Sequence, residues 1–542
     1  MKMLKKHQLL LLSVFSGLLL SLAWPQRGIA ALLFVALIPM LIVEDNIYKN
    51  RDKFSRFAVF FYTYLGFFVW NLIATWWIYH ASFVGAAMAI VFNSMFMAIV
   101  FQCFHRGRII LARGSSKIDT SGYFILVVFW MSLEYLHLNW ELAWPWLHLG
   151  NGFASAIKSV QWYEYTGAFG GSIWVLTINI LLFRMIKMKY EKRPSSEIKK
   201  LSIISLSLLV VPIILSWFIY YNYTEKNNPV KVLVVQPNVD PYGEKFVPEY
   251  RDVIWDKLIG QTILASEHSP DFIVWPETSI PGSLYLNEPD EPQAITKIKD
   301  SLIKYLPGSV LVSGADAYEV YDYKKTATAR TFPKGECCWD AFNTALEIDT
   351  SGMLNYYHKS KLVPGVERMP YPKLFGALEK FAIDLGGTSG SMGTSPEPIV
   401  FGNGIVPIAP IICFESVFGE FVTQYVRKGA ELLFIITNDG WWGDTPGYRQ
   451  HFSYASLRAI ETRRSIARSA NTGISGFINQ RGDVIESAPF WEKHALLNTI
   501  NANDKLTIYV RFGDYLGRIA VFSTFTILLI LLIMRVLPRR NN

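Results

Sequence analysis

Eight apolar runs, each close to the length of a bilayer span, constrain the fold of this chain more than any other feature. They lie at roughly 8–24, 28–44, 57–79, 83–104, 121–139, 170–187, 201–222 and 515–536. A helix of ~20 apolar residues crosses the hydrocarbon core of a membrane. Only 18% of the 542 residues are charged, compared with about 25% in ordinary soluble domains. These features predict a multi-pass α-helical membrane domain joined to a globular domain.

The first run follows three lysines, an arrangement that cleavable signal peptides also show. A second run begins only a few residues later, after the short connection at 24–27. This spacing favours a retained helical hairpin over a signal peptide.

Lysine and arginine cluster after the second, fourth and sixth runs and at the C-terminus, and the alternate connections contain few of them. The positive-inside rule then predicts that both termini are cytoplasmic and that residues 223–514 face the opposite, extracytoplasmic side. The formal net charge of +8 could by itself indicate nucleic-acid binding. Because the positive charges lie in short loops between spans, we expect no nucleic-acid partner.

Three domains are predicted from this pattern. Residues 1–222 form an N-terminal membrane domain of about seven transmembrane helices, and residues 515–542 form a last helix with a short basic cytoplasmic tail. Residues 223–514 alternate strand-like runs such as KVLVVQPN (231–238) with helical patterns such as 249–264, and TSG and NQRGD are predicted to form hairpin turns. This alternation indicates a layered α/β domain.

Three residues of this middle domain follow strand-like segments and have complementary chemistry: Glu277, Lys359 and Cys413. Each one alone is more often a core or turn residue, but together they indicate a catalytic triad. A thiol attacks an ester as the thiolate, so it needs a base and a nearby positive charge. Glu277 is predicted to be the general base and acid, with a pKa raised by an apolar pocket. Lys359 would stabilise the thiolate and the oxyanion, together with the backbone N–H that follows Cys413.

Longer motifs surround these residues. They are WPET (275–278), YHKSKLVPGVE (357–367), ICFES (412–416), NDGWWGDTPGYRQH (438–451), RSANTGISGFINQRG (468–482) and WPWLHLGN (144–151). Together they resemble the apolipoprotein N-acyltransferases, the membrane-bound branch of the nitrilase (carbon–nitrogen hydrolase) superfamily. The resemblance covers nearly the whole chain and implies a nitrilase-like αββα sandwich for the middle domain.

The resemblance also implies a reaction. The sn-1 acyl chain of a phospholipid passes to Cys413 as a thioester, and a lysophospholipid leaves. The acyl chain then passes to the α-amine of the S-diacylglyceryl-cysteine at the N-terminus of an apolipoprotein. The expected location is the bacterial cytoplasmic (inner) membrane, with the catalytic domain on the periplasmic side and the protein acting as a monomer.

By motif position the resemblance implies further site residues. Glu367 and Glu415 fall on functionally important glutamates of the family, and Glu415 is expected to orient Lys359 or the substrate. Phe414 takes the place of a residue that is commonly Tyr, and Phe246 takes the place of a family Trp. These four residues and Trp442, in the segment 438–451, are candidate substrate-binding residues.

The chain departs from the family pattern before Glu367, where Gly365-Val366 stand in place of Phe-Gly. Phe414 lacks the hydroxyl of the usual Tyr. We expect these departures to affect substrate packing and not the triad.

The segment 370–387 spaces its apolar residues on one helical face. Such a helix is either an ordinary core-facing element or a lid that dips into the membrane surface and admits lipid.

Cysteine usage and motif content limit the remaining possibilities. Cys337 and Cys338 are adjacent in an exported domain, where disulfides can form, but a disulfide at Cys413 would abolish activity and we predict a free thiol there. The sequence contains no metal-ligand His pair and no phosphate loop, so no metal and no cofactor are expected. Two alternative functions are a membrane-anchored amidase, in which water resolves the thioester, and a non-catalytic lipoprotein-binding scaffold.

Overall fold

The computed structural model describes residues 3–25, 27–112, 122–266, 269–287, 292–332, 335, 337–371, 373, 391–402 and 404–536. These residues form two compact units. The first comprises Met1–Trp76, Ala86–Asn222 and Asp514–Asn542, and the second comprises Trp77–Gly85 and Tyr223–Gly513. Most of the predicted lid segment, from residue 374 onwards, lies outside the described residues.

Helices account for most of the first unit. They are α1 (Lys6–Ala23), α2 (Leu33–Ala36), α3 (Ile38–Lys49), α4 (Ala58–Thr75), α5 (Phe83–Leu111), α6 (Tyr123–Asn139), α7 (Tyr163–Thr166), α8 (Ala168–Tyr190), α9 (Ser195–Asn222) and, at the C-terminus, α15 (Tyr515–Val536). Within the described ranges, seven helical stretches are long and apolar enough to cross a membrane, and α6 is a shorter apolar helix. Each predicted run overlaps one of these eight, which confirms the multi-pass helical region.

Small residues let α1 and α4 approach closely. A Cβ added at Gly17 would lie 2.3 Å from the carbonyl oxygen of Gly66, and one added at Gly66 would lie 2.5 Å from the carbonyl oxygen of Ser13. Side chains larger than hydrogen at either glycine would therefore force the two helices apart. Close backbone contact of this kind is a common way for helices to associate within a membrane.

A group of ionisable side chains lies where α3, α5 and α8 meet, and all but Lys187 are buried. We call Glu44, Asp45, His105, Arg108 and Lys187 the membrane cluster. Arg108 bridges the two carboxylates, with Nη1 2.6 Å from Glu44 Oε2 and Nη2 2.9 Å from Asp45 Oδ1. His105 Nδ1 lies 2.7 Å from Glu44 Oε1, and Lys187 Nζ lies 3.0 Å from Asp45 Oδ1. Glu44, Asp45 and Arg108 are almost completely buried, so their opposite charges stabilise one another inside the helical unit.

The second unit is built from thirteen strands within the described residues. These are β1 (Pro229–Gln236), β2 (Phe272–Val274), β3 (Ser283–Tyr285), β4 (Val310–Tyr321), β5 (Arg330–Thr331), β6 (Cys338–Asp349), β7 (Gly352–His358), β8 (Ile408–Ile412), β9 (Leu432–Thr437), β10 (Ser465–Ala470), β11 (Gly476–Ile478), β12 (Val484–Ser487) and β13 (His494–Asn501). Its helices are α10 (Arg251–Ala265), α11 (Gln293–Ser301), α12 (Gly419–Arg427), α13 (Pro446–Thr462) and α14 (Ile508–Phe512).

The strands form two sheets that pack face to face. One has the order β13-β1-β2-β4-β6-β5, with β3 paired to β4 and β7 paired to β6, and the other has the order β12-β11-β10-β9-β8. Phe272 of the first sheet and Phe434 of the second meet with ring centroids 5.2 Å apart. Leu258 of α10 and Ile298 of α11 join an apolar cluster with Ile273 of the first sheet, and α12 and α13 contact strands of the second. The predicted αββα sandwich is confirmed.

Both predicted hairpins are present. β6 and β7 pair antiparallel around the TSG turn at 350–352, and β11 and β12 pair antiparallel around NQRGD at 479–483. The strands β1, β2 and β4 run parallel to one another in the middle of the first sheet. As a result, the segments that follow these three parallel strands leave the sheet at the same edge, where polar side chains can gather.

Candidate active site

Cys413 lies in a sharp turn directly after β8. Its backbone φ is +50°, in the left-handed region that non-glycine residues rarely adopt and that often marks functional positions. The carbonyl oxygen of Cys413 accepts a hydrogen bond of 2.7 Å from Ser416 Oγ and lies 3.2 Å from His451 Nε2. The side chain is a free thiol, and the residue is only 8% exposed. Ser416 and His451 therefore hold the backbone of the turn, and the turn carries a buried thiol.

Glu277, Asn343, Lys359 and Glu367 come together at the edge of the first sheet, and we call them the active-site cluster. Lys359 Nζ lies 3.0 Å from Glu277 Oε1 and 2.8 Å from Glu367 Oε1. Asn343 Nδ2 donates to the same two oxygens at 2.7 and 3.2 Å. One ammonium and one amide thus hold the buried Glu277 carboxylate and the half-buried Glu367 carboxylate side by side.

The two sheets both contribute to this cluster. Glu277 follows β2 and Lys359 follows β7, both in the first sheet, whereas Asn438 follows β9 in the second. The backbone N–H of Asn438 donates to Glu277 Oε2 at 3.0 Å. Glu277 is therefore fixed from three directions, and its orientation depends on the packing of one sheet against the other.

The charges in this site set the protonation states. Burial by itself would raise the pKa of Glu277, but Lys359, Asn343 and Lys245 together hold it below its ordinary value. Burial would lower the pKa of Lys359, and the Glu277 and Glu367 carboxylates instead raise it well above its ordinary value. Burial and the Glu277 charge raise the pKa of the Cys413 thiol, with Lys359 opposing the rise. The resting site therefore holds a neutral thiol beside an ionised glutamate.

This result corrects one expectation. An apolar pocket around Glu277 predicts a raised pKa, and the structure gives the opposite direction. The apolar burial is present, but the Lys359 ammonium is in direct contact with the Glu277 carboxylate and outweighs it.

Glu415 lies apart from the Lys359 ammonium and bonds to the chain on both sides of it. Its Oε1 accepts hydrogen bonds from Tyr357 Oη at 2.6 Å and from the backbone N–H of Ser360 at 2.6 Å. Its Oε2 accepts a bond of 2.9 Å from the backbone N–H of Ile412, next to Cys413. Burial raises the pKa of Glu415 to about 7. The contacts tie the segment around Lys359 to the turn of Cys413.

The remaining predicted substrate-binding residues occupy different places. Phe246 stacks on Trp441, with ring centroids 6.3 Å apart, and lines a cavity next to Glu277. Phe414 is buried and packs edge to face on Phe418 at 5.1 Å. The Trp442 ring contacts Trp77 at 4.7 Å and is not among the described residues that line this cavity.

The cavity has a volume of about 160 Å³. Glu277 and Phe246 line it together with Lys245, Thr278, Asp316 and Ser283. Lys245 Nζ donates a hydrogen bond to Thr278 Oγ1, and its ammonium lies 5.6 Å from the centre of the Phe246 ring. Space for a reacting group is therefore available on the side of Glu277 that faces this cavity.

Several residues of the site were not anticipated from the sequence. Asn343 and Asp316 lie within strands. A polar residue inside an apolar strand pattern was the only sequence feature that could have indicated a role for either one. A second buried group supports the Cys413 turn, because His451 Nδ1 lies 3.0 Å from Asp439 Oδ1 and Arg468 Nη2 lies 2.7 Å from Asp439 Oδ2. All three belong to long motif segments whose individual residues had not been assigned roles.

Comparisons with known proteins agree with this geometry. The carbon–nitrogen hydrolase family matches residues 234–505, and the apolipoprotein N-acyltransferase N-terminal domain matches residues 16–181. Because the first match spans half of the chain, the chain belongs to the carbon–nitrogen hydrolase family. Both domains were expected from the motifs, and the resemblance to the apolipoprotein N-acyltransferases is confirmed.

Relatives match over nearly the full length. The apolipoprotein N-acyltransferase of Chlorobaculum tepidum is 28% identical over 94% of this chain and 94% of its own. That of Geobacter metallireducens is 28% identical over 93% of this chain and 91% of its own. Among solved structures, Saccharomyces cerevisiae Nit3, a nitrilase superfamily member, aligns with a TM-score of 0.37 and 12% identity over 53% of this chain and 93% of that chain.

Proposed function

We propose that this protein is an apolipoprotein N-acyltransferase, which moves an acyl chain from a phospholipid to the amino terminus of a lipoprotein. The Glu277–Lys359 ion pair, placed at strand ends with the buried Cys413 thiol, is the observation that carries the proposal. The membrane-spanning helices supply the lipid context, and the full-length relatives bear the name of this activity.

In the first half-reaction Cys413 attacks the ester carbonyl carbon of the phospholipid. Glu277 takes the thiol proton as the sulfur–carbon bond forms, which matches a resting state with a neutral thiol and an ionised glutamate. Lys359 and the backbone N–H of Phe414 stabilise the oxyanion. When the carbon–oxygen bond breaks, Glu277 returns the proton to the departing glycerol oxygen, and a lysophospholipid leaves.

In the second half-reaction the α-amine of the lipoprotein's S-diacylglyceryl-cysteine attacks the thioester. The new carbon–nitrogen bond replaces the carbon–sulfur bond, and Glu277 transfers an amine proton to the Cys413 sulfur. The same groups serve both half-reactions. Glu277 takes the proton from the Cys413 sulfur in the first and returns a proton to it in the second, as expected for an enzyme that passes one acyl group between two substrates. Glu367 keeps Lys359 oriented throughout.

The charge pattern of the loops supports an orientation. We propose that both termini are cytoplasmic and that residues 223–514 form the catalytic domain on the extracytoplasmic face of the bacterial cytoplasmic membrane, between a membrane domain at 1–222 and the helix at 515–542. The protein acts as a monomer on phospholipid and on diacylated lipoprotein.

Mass spectrometry of the purified protein tests the function. After incubation with phospholipid micelles, we expect an acyl adduct on Cys413 that is absent from Cys413→Ala. A synthetic S-diacylglyceryl-cysteine peptide should then discharge the adduct to a triacylated product. Discharge only to free fatty acid would assign the protein to membrane-anchored amidases, and no adduct at all would favour a scaffold.

A further inference from the structure

We propose that Asp316 and Asn343 form the subsite that receives the α-ammonium group of the lipoprotein acceptor. The inference deepens the proposed function and rests on it, since it concerns only the second substrate. Both residues lie in the first sheet beside Glu277, in strands β4 and β6.

Strand register places the two residues together. Asp316 of β4 is directly opposite Asn343 of β6 in an antiparallel pair, so their side chains project from the same face of the sheet. Asn343 bonds to both carboxylates of the active-site cluster. Asp316 is therefore next to Asn343, which itself contacts Glu277.

The contacts of Gly314 show independently which face of the sheet the Asp316 side chain occupies. A Cβ added at Gly314 would lie 2.6 Å from the Cα of Glu277 and 2.4 Å from the backbone nitrogen of Thr278. Side chains two residues apart in a strand point to the same face, so the side chain of Asp316 points to the side where Glu277 lies. Asp316 lines the cavity together with Glu277 and Thr278, in agreement with this direction.

One buried hydrogen-bond acceptor of this subsite has no donor among the described residues. Asn343 is 4% exposed, and its Oδ1 atom accepts no hydrogen bond from the residues that the structure describes. Both bonds of its amide nitrogen go to Glu277 and Glu367, which fixes the orientation of the amide. The Asp316 carboxylate, across the strand pair from Asn343, is half-buried and lines the cavity. The buried Asn343 oxygen requires a donor, and an ammonium group carries three.

The charged neighbours of Asp316 favour a cation over an anion. Burial raises its pKa to about 6, Lys245 opposes the rise, and Glu277 and Glu367 add to it. The carboxylate is therefore mainly ionised at neutral pH. Lys245 already donates a hydrogen bond to Thr278, so it is less suited than Asp316 to act as the contact for an incoming ligand.

The subsite has a chemical task as well as a binding one. An α-amine with an ordinary pKa near 8 arrives mostly protonated, and an ammonium has no lone pair to attack a thioester. Asp316 accepts one proton from it, and the neutral amine then forms the carbon–nitrogen bond. The carbon–sulfur bond breaks, the second amine proton passes through Glu277 to the Cys413 sulfur, and Asp316 releases its proton to solvent.

Separating the two half-reactions tests the subsite. In Asp316→Asn we expect thioester formation from mixed micelles of phosphatidylethanolamine and phosphatidylglycerol within about twofold of wild type. The KM for a synthetic S-diacylglyceryl-cysteine peptide should rise at least about tenfold, as expected for the loss of one hydrogen bond to a charged group. Hydroxylamine, which is uncharged at neutral pH, should discharge the thioester at the wild-type rate. Asp316→Glu should recover part of the peptide reaction.

Asp322→Asn is the matched control, because this carboxylate is exposed just beyond the end of β4. It should leave every step unchanged. Peptide discharge at the wild-type KM in Asp316→Asn would overturn the subsite, and so would a defect confined to thioester formation, which would assign the cavity to the phospholipid. Slow discharge by hydroxylamine as well would indicate a structural role and also overturn it. An absent adduct in the wild-type protein would overturn the proposed function itself and the subsite with it.

Discussion

The membrane cluster and the active-site cluster bury the same kinds of charged group with different results. In the membrane cluster the Arg108 guanidinium bridges Glu44 and Asp45, and His105 contacts the other oxygen of Glu44. The ammonium groups of Lys187 and of the neighbouring Lys49 also contact Asp45. In the active-site cluster a single lysine serves two carboxylates. The first arrangement is matched in charge, and the second has fewer cations than anions in contact.

The difference indicates what each cluster is suited to do. A buried carboxylate whose charge is balanced by neighbouring cations stays ionised and paired, since removing one cation leaves an uncompensated charge. In the active-site cluster, Glu277 can release Lys359 to the Glu367 carboxylate while it takes a proton from Cys413. The incompletely neutralised carboxylates and the left-handed turn at Cys413 are locally unfavourable features that an ordinary core would avoid. Both occur where the chemistry is proposed.

The largest expected effect comes from removing the base of the active-site cluster. Glu277→Gln keeps the shape of the side chain but cannot accept the Cys413 proton. We expect the rate of thioester formation to fall by about 10²–10⁴, the usual contribution of a general base, with the apparent melting temperature nearly unchanged. Rapid-quench mass spectrometry of the Cys413 adduct measures the rate.

Glu397→Gln is the control for this experiment, because Glu397 forms an exposed ion pair with Lys428. It should react like wild type. Thioester formation at the wild-type rate in Glu277→Gln would show that another group takes the proton and would remove the functional contrast between the clusters.

The next effect concerns the membrane cluster and should appear in stability. Arg108→Met leaves Glu44 and Asp45 without the guanidinium that bridges them, which should destabilise the protein by about 3–5 kcal/mol. Thermal unfolding in detergent measures the loss, and the fraction that remains folded should still form the thioester. Arg106→Met, at an exposed position of the same helix, should unfold like wild type. If Arg108→Met lowered activity without any loss of stability, the membrane cluster would have a functional role.

A smaller effect should appear in the pH dependence after Lys359→Met. Lys359 is the main reason that the pKa of Glu277 lies below its ordinary value, and burial opposes it. Without the ammonium the largest contribution that opposes burial is lost, so this pKa should rise even though Asn343 and Lys245 remain. Because the base works only when ionised, the acid limb of the pH–rate profile for thioester formation should move to higher pH. A limb that stays in place while the rate falls would assign Lys359 to oxyanion stabilisation alone.

Periodicity and charge pattern were sufficient to predict the helices, the two hairpins and a layered α/β domain, and the family motifs supplied the αββα class. Runs such as 515–536 are long and uniform, so a few residues of error at their ends do not change the prediction. The strand ends that carry Glu277, Lys359 and Cys413 were also predictable, because apolar strands end visibly at polar residues. Their mutual contacts needed the structure.

The polar residues within strands could not be predicted in the same way. Asn343 and Asp316 face each other only because β4 and β6 pair in one register, and register depends on packing over the whole sheet. The direction of the Glu277 pKa was wrong for a related reason. Burial can be inferred from a hydrophobic segment, but contact with the ammonium of Lys359, which is 82 residues away in the chain, cannot.

The smallest expected effect tests whether burial, and not the mere number of ion pairs, sets the strength of the ion pairs in and around the membrane cluster. Lys49 Nζ lies 3.1 Å from Asp45 Oδ2 and 3.1 Å from Glu191 Oε1, but its side chain is 29% exposed. Lys49→Met should therefore change the free energy of unfolding by less than about 1 kcal/mol. Lys187→Met removes a partner of the same carboxylate whose side chain is only 12% exposed, and should cost more. Equal losses in the two variants, measured by thermal unfolding under the same conditions, would mean that burial does not set the strength of these pairs.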